Sequence, residues 1–183
     1  MPSFSVMLKK HPLMAYSLIL LIAWLSAYKL IGYLHFLAIS THYKSYIPAS
    51  FVIEKTVFAG DQIGGFIEGC GVAVFKLSKE TSEKIHEGGI AFLNDNSQPR
   101  ENKHKQYMSW HETPISEGGK YHLFLKLANE DAGGNTCVDL PESLKKNISL
   151  TIRRPRAFYS GFNENSELLV IPALNLAIFS HDR

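Results

Sequence analysis

An uninterrupted apolar segment near the N-terminus constrains this chain more than any other feature. Residues 13–28 read LMAYSLILLIAWLSAY and contain no charged side chain. As an α-helix rising about 1.5 Å per residue, the segment is about 24 Å long, slightly less than the ~30 Å hydrocarbon core of a bilayer. Residues 29–33 supply the missing length if the Lys29 ammonium extends along its stem to the interface. The sequence therefore predicts a single transmembrane helix with its interfacial extension over 13–40.

The far end of this segment carries side chains that suit a membrane–water interface. Tryptophan and tyrosine rings collect at the headgroup level, and a lysine there keeps its charge in water. The predicted membrane contacts are Trp24, Tyr28, Lys29 and Tyr33. Two other interpretations stay open, a signal peptide cleaved after Ala27 and a buried core helix. Cleavage is disfavoured because Leu25 stands where a small residue is preferred.

Lysines on the two sides of the segment set the expected orientation. Lys9 and Lys10 precede it closely, whereas only Lys44 follows it closely. Because positive charge is retained in the cytoplasm, residues 1–12 are expected to form a cytoplasmic tail. Residues 41–183 are then expected outside the cytoplasm, in the periplasm of a bacterium, with the chain held in the cell inner membrane.

The net charge of the chain after residue 40 limits the classes of partner that it is able to bind. The whole sequence has 19 basic and 17 acidic residues, and its first 40 residues hold three of the basic ones and none of the acidic ones. The region after residue 40 is thus nearly neutral and has no basic stripe. We therefore expect no nucleic acid as a partner. The expected partners are membrane lipid and a membrane or envelope protein.

The two cysteines, Cys70 and Cys137, are expected to pair. Paired cysteines are usual in an oxidising compartment. The bridge would close a loop of about 68 residues and contribute roughly 4 kcal/mol in the chain-entropy model. Two alternatives remain, a reactive Cys70 thiolate on the glycine-lined stretch GCG with a histidine as base, and two inert buried cysteines.

The chain beyond the apolar segment reads as one β-rich domain of the α+β class with about two short helices. Alternating or compact apolar runs predict strands over 50–58, 71–77, 107–115, 120–128 and 148–154, and one or two strands over 167–181 around Pro172. Ser78 as a cap and Pro141 at a first helical position predict helices over 78–89 and 140–147.

Histidines are frequent, yet their spacing does not predict a metal site. His104, His111 and His122 fall within 19 residues, but the sequence offers no HxxxH on a helix and no HxH on a strand. Strand alternation also directs His111 and Glu112 to opposite faces. No metal and no cofactor are therefore expected.

Two segments are candidates for an interaction surface. Exposed aromatic residues beside a polar loop suit a protein–protein contact, although a buried Trp110 would simply belong to the core. A cluster of cationic side chains is able to bind an anionic headgroup or an acidic protein. The alternative is that these side chains are simply the solvated end of a strand. The candidate residues are Tyr107, Trp110 and His111 in the first segment, and Lys145, Lys146, Arg153, Arg154 and Arg156 in the second.

These features favour a non-enzymatic envelope protein over an enzyme. The sequence contains no dinucleotide or phosphate-binding glycine loop and no GxSxG motif. The expected function is binding, or an accessory role in a membrane complex. The alternative is a thiol-dependent envelope enzyme that uses Cys70 with a histidine.

Overall fold

The computed structural model describes residues 12–64, 68–101, 106–115, 124, 138, 140–163 and 165–182. The chain divides into two compact units, residues 1–38 and 39–183. The described helices are α1 (Pro12–Lys44), α2 (Lys79–Asp95) and α3 (Glu142–Ile152). The strands are β1 (Ile53–Gly64), β2 (Glu68–Leu77), β3 (His111–Glu112), β4 (Phe158–Asn163), β5 (Ser166–Ile171) and β6 (Leu176–Asp182).

Helix α1 is long, apolar and exposed over most of its length. Within its span from Tyr16 to Lys44, the most apolar 18-residue window has a mean hydropathy of 1.7 and is 0% buried. A helix of this length and composition is able to cross a membrane, and an N-terminal signal sequence meets the same criterion. The exposure contradicts the alternative of a buried core helix for the apolar part of α1.

The end of α1, from Ile39 onward, belongs to the second unit and to its core. Ile39 and Tyr43 are 8% and 5% exposed, and both lie in the same apolar cluster as the sheet residues Phe75 and Phe179. Ile47, just after the helix, is fully buried in that cluster. The folded unit therefore includes the end of α1.

A six-stranded sheet forms the centre of the second unit, in the order β1-β2-β6-β5-β4-β3. Every neighbouring pair is antiparallel. The terminal strand β1 pairs with β2 in an irregular register, with shifts between Ile53 and Lys55 and between Thr56 and Phe58. The α+β class is thus observed, with an N-terminal apolar helix followed by the sheet and its helices.

Both faces of the sheet are covered, and strand alternation decides which side chain enters which layer. On β6, Ala177 and Phe179 enter an aromatic layer together with Ile85 and Leu93 of α2. Leu176 and Ile178 enter the opposite layer with α3. The central strands therefore read as continuous apolar runs without a polar face.

Helix α2 begins as predicted and ends later than predicted. Ser78 caps it, since its side chain accepts a hydrogen bond from the Thr81 amide at 3.2 Å. The predicted stop at Gly88–Gly89 is a kink, with Gly89 at φ 53° and helical residues continuing to Asp95. A positive φ at glycine carries no Cβ penalty, so the chain bends there and resumes the helix.

The predicted strand over 148–154 is wrong, because residues 148–152 continue α3. Leu144, Ile148 and Ile152 are 8%, 0% and 2% exposed, which is the i, i+4 spacing of a helix face. Leu150, which a strand would bury with Ile148, is 48% exposed. The predicted short helix therefore extends over both segments.

The other strand predictions have mixed outcomes. Strands β2, β5 and β6 match their predicted segments, with a 3-10 turn at Pro172–Leu174 between β5 and β6. Strand β1 is observed later and longer than predicted, and only His111–Glu112 of the predicted edge strand pairs, with β4. Strand β4 has no counterpart in the sequence analysis. The predicted strand over 120–128 lies outside the described residues except for Phe124, which is helical and fully buried.

Candidate functional site

A cleft of about 190 Å³ lies on the aromatic face of the second unit. It is formed by the last turn of α1 and the residues after it, the end of β4, the start of β5 and the end of β6. Its lining residues are His42, Tyr43, Tyr46, Phe162, Asn163, Ser166, Phe179 and His181. None of them was singled out by the sequence analysis.

Aromatic rings form the apolar part of the cleft. Tyr46 stacks on Phe179 with ring centroids 4.9 Å apart and an interplanar angle of 12°. Phe162 meets the Tyr46 ring edge to face at 5.3 Å and 80°. Phe162 and Phe179 are 6% and 1% exposed, so they form a floor, while Tyr46 is half-buried and forms a wall. Contacts of this kind hold the three rings in fixed positions relative to one another.

A serine–histidine pair supplies the polar part of the cleft. Ser166 and His181 are opposite each other in the β5–β6 register, and Ser166 Oγ lies 2.7 Å from His181 Nδ1. Directly opposed side chains on antiparallel strands are close enough for this contact. The half-buried Asn163 completes this side, where its Oδ1 accepts a hydrogen bond from the Asn165 amide at 2.8 Å.

Gly71 explains how the end of α1 reaches the sheet beside the cleft. Tyr43, which lines the cleft, lies against Gly71 of β2. A methyl group at Gly71 would collide with the Tyr43 hydroxyl, and would lie 2.8 Å from Tyr43 Cζ and 3.0 Å from the Gly60 carbonyl oxygen. The second glycine of GCG is therefore required by a close approach of α1, and the motif does not need a nucleophile to account for it.

Replacing Gly71 by alanine is expected to destabilise the second unit by about 1–3 kcal/mol, as overpacking of a core commonly does. Urea unfolding measured on the full chain in detergent tests this. Tyr43→Phe in the same chain removes the atom that collides first, so Gly71→Ala should cost less in that background. Gly32→Ala is the matched control, since nothing lies within 4 Å of the added methyl group. Equal stability of the Gly71 and Gly32 variants would contradict the close approach.

The predicted aromatic contact surface is corrected by the structure. Tyr107 and Trp110 are 6% and 4% exposed and belong to the core beneath the cleft. Their ring centroids are 5.5 Å apart, and Tyr107 lies 5.2 Å from the Phe162 ring. The Tyr107 hydroxyl donates to the Tyr46 carbonyl at 2.9 Å, and burial raises the pKa of this phenol well above its usual value. Both residues therefore belong to the core and support the cleft from inside.

The remaining candidate residues lie on β3, along α3 and in the loop after α3. His111 is exposed on β3 with its ring 5.5 Å from Tyr159. Lys145 is paired with Glu142 at 2.9 Å. Lys146, Arg153, Arg154 and Arg156 are exposed. Cations at the C-terminal end of a helix are favoured by its dipole, which accounts for Arg153 and Arg154 there.

His181 is not positioned to act as a base for the Cys70 thiol. In the β2–β6 register Cys70 is opposite Asp182, and Gly71 is opposite His181. Successive strand residues point to opposite faces, so Cys70 and His181 lie on different sides of the sheet. No described cysteine is free. The predicted bridge itself stays a prediction, because Cys137 lies outside the described residues.

The described residues hold no group of three or more histidine, cysteine, aspartate or glutamate side chains able to bind a metal ion. His104 and His122 lie outside the described part of the chain. Comparison with protein-family models, with curated proteins and with solved structures gives no match for this chain.

Proposed function

We propose that this chain is a membrane-anchored binding protein that performs no chemistry of its own. Helix α1 spans the inner membrane once, residues 1–12 stay in the cytoplasm, and the domain from residue 41 lies in the periplasm. The partners are lipid around α1 and a membrane or envelope component that the domain binds. The cleft is the contact site on the domain.

The exposed apolar surface of α1 carries the anchoring proposal. Soluble proteins rarely expose a contiguous apolar surface of more than a few hundred Å². Fifteen large apolar side chains of α1 are exposed, from 39% to 83%: Leu13, Tyr16, Leu18, Ile19, Leu20, Leu21, Ile22, Trp24, Leu25, Tyr28, Leu30, Ile31, Tyr33, Leu34 and Leu37. A bilayer removes this surface from water, which supports membrane insertion as the role of α1.

The composition of the cleft supports binding as the role of the domain. Ligand sites are concave and mostly apolar, with a few polar groups that fix orientation. The cleft shares the concave shape and the polar groups of such a site, with the Ser166–His181 pair among them, above a floor of buried aromatic rings. His181 meets Ser166 through Nδ1, the nitrogen that a carboxylate orients in a Ser-His-Asp triad, and this supports a binding role over hydrolysis.

Full-length protein is expected to stay in the membrane pellet after extraction with alkaline carbonate. The matched control carries Leu21→Arg and Ile22→Arg near the middle of the span. Each arginine disfavours insertion by about 2.5–3.5 kcal/mol, so this variant should appear in the soluble fraction or fail to accumulate. A reporter that is active only in the periplasm, fused after residue 183, should be active in the wild-type chain.

Two results would contradict the proposal. Wild-type protein released by carbonate would exclude the anchor, and a mature N-terminus at Tyr28 would identify a cleaved leader. An inactive periplasmic fusion alongside an active cytoplasmic one would reverse the orientation and leave the anchor intact.

A further inference from the structure

We propose that the cleft binds the carboxylate group of a small organic acid. This inference rests on the binding role proposed above and names the chemistry of its ligand. Three properties of the described lining lead to it: several side chains are able to donate hydrogen bonds, none is a carboxylate, and two are imidazoles that are able to become cations.

The polar side of the cleft is one row of residues across the sheet. Asn163 of β4 is opposite Ser166 of β5, and Ser166 is opposite His181 of β6. His181 is in turn opposite Gly71 of β2, against which Tyr43 packs. Directly opposed side chains on antiparallel strands are near neighbours, so these polar groups are able to act on one ligand together.

Asn163, Tyr43 and Tyr46 offer donors to the cleft. Asn163 Oδ1 accepts the Asn165 amide at 2.8 Å, so Nδ2 is left as the donor. The hydroxyl groups of Tyr43 and Tyr46 make no hydrogen bond to another described residue, although Tyr43 is only 5% exposed. A tyrosine hydroxyl stays protonated at neutral pH and is able to donate. A carboxylate only accepts hydrogen bonds, so it matches this set of groups.

The two imidazoles set the charge of the ligand. His181 shares a hydrogen bond with Ser166, and in either tautomer this pair has a second N–H or O–H group. His42 is exposed at the end of α1 and lines the cleft as well. A protonated imidazole balances the single charge of a carboxylate. The described lining has no Lys and no Arg, the side chains that commonly bind phosphate.

Two acidic side chains lie near this row and do not line the cleft. Asp61 of β1 is opposite Gly71 and so extends the row on the side of Tyr43. Asp182 follows His181 on β6 and therefore points to the other face of the sheet. Asp61 should weakly oppose an anion in the cleft, whereas it would assist a cation. Replacing Asp61 therefore separates these two kinds of ligand.

Titration of the full chain in detergent micelles with propionate and with propionamide tests the proposal. The two probes have nearly the same shape and differ in charge. The ring carbon and proton signals of His42 and His181 report occupancy of the cleft. At about pH 6, propionate should bind saturably and about five- to tenfold more tightly than propionamide, as expected for hydrogen bonds to a charged group.

The pH dependence tests the role of the imidazoles. An imidazole ordinarily loses its proton near pH 6.5, so the affinity for propionate should fall about fivefold or more between about pH 6 and about pH 8. Propionamide carries no charge and should bind equally at both pH values.

Variants separate the carboxylate contact from the fold. Asn163→Asp keeps an oxygen for the Asn165 amide and replaces the donor by a negative charge, so it should weaken propionate at least about tenfold. Asp61→Asn should strengthen propionate, and His42→Gln should reduce the pH dependence. His86→Gln removes an exposed imidazole of α2 outside the cleft and is the control, which should change neither. Histidine ring signals that match wild type without ligand show that each variant is folded.

Three results would overturn the carboxylate site: equal affinity for propionate and propionamide, an affinity for propionate that is the same at both pH values, or no saturable shift with propionate. Acetyl-Gly-Gly-Gly carries a C-terminal carboxylate and should bind no more tightly than propionate. A gain of about tenfold or more with this peptide would assign the cleft to a chain terminus and overturn the small acid. Anchoring is measured separately by carbonate extraction, so the two proposals fail independently.

Discussion

A chain that begins at Phe36 should fold in the absence of membrane or detergent, whereas a chain that begins at Pro48 should not. The second chain lacks Ile39, Tyr43 and Ile47, which are 8%, 5% and 0% exposed in the core. Losing a large core side chain costs about 2–5 kcal/mol, and a domain has about 5–15 kcal/mol of stability in total. Three such losses are expected to unfold the domain.

Urea unfolding and amide NMR spectra of the two purified chains provide the measurement. The chain from Phe36 should unfold cooperatively and show dispersed amide signals. Tyr43→Ala in that chain is the intermediate control and should lower the free energy of unfolding without abolishing the transition. Equal midpoints for the two chains would show that the last turn of α1 is dispensable for the core.

Ile148→Ala should lower the free energy of unfolding by about 2–5 kcal/mol, whereas Leu150→Ala should change it by less than about 0.5 kcal/mol. Ile148 is fully buried on α3, and Leu150, two residues along, is 48% exposed. A strand over the same residues would bury both side chains on one face. The pair of variants therefore distinguishes the observed helix from the predicted strand.

Chemical denaturation of the full chain in detergent gives both values from the same transition. Ile152→Ala, one helical turn further, should also be costly because Ile152 is 2% exposed. Comparable losses for Ile148 and Leu150 would contradict the helix.

Local signals were sufficient for the parts of the fold that depend on local chemistry. The long apolar run predicted α1, and Ser78 predicted the start of α2. Pro172 predicted the break between β5 and β6. At α3 two periods overlapped, since apolar residues occur at 148, 150 and 152 as well as at 144, 148 and 152. The two-residue spacing predicted a strand. The structure follows the four-residue spacing of a helix, of which only one face packs against the sheet.

Strand β4 was not predicted, because its apolar and polar residues do not alternate. All but its last residue are buried. The cleft was not predicted for a different reason. Its residues come from positions 42–46, 162–166 and 179–181, and only long-range strand pairing brings them together. The sequence held one weak signal for the cleft: Phe179 and His181 are two residues apart on β6 and therefore lie on the same strand face. The sequence left a contact surface and the core both open for Tyr107 and Trp110, because an aromatic pair after a polar loop looks the same whether it is exposed or buried.

The irregular register of β1 has a consequence for copies of this protein that share a membrane. Anchored as proposed, the domains diffuse in two dimensions and collide often. β1 ends the described sheet, and an unpaired strand edge invites pairing with another copy. The register shifts near Ile53 and Thr56 bend that edge, and Lys55 places a charge between them. These are the features by which natural sheets resist edge-to-edge addition, so crowding alone should not assemble the domains into a continuous sheet.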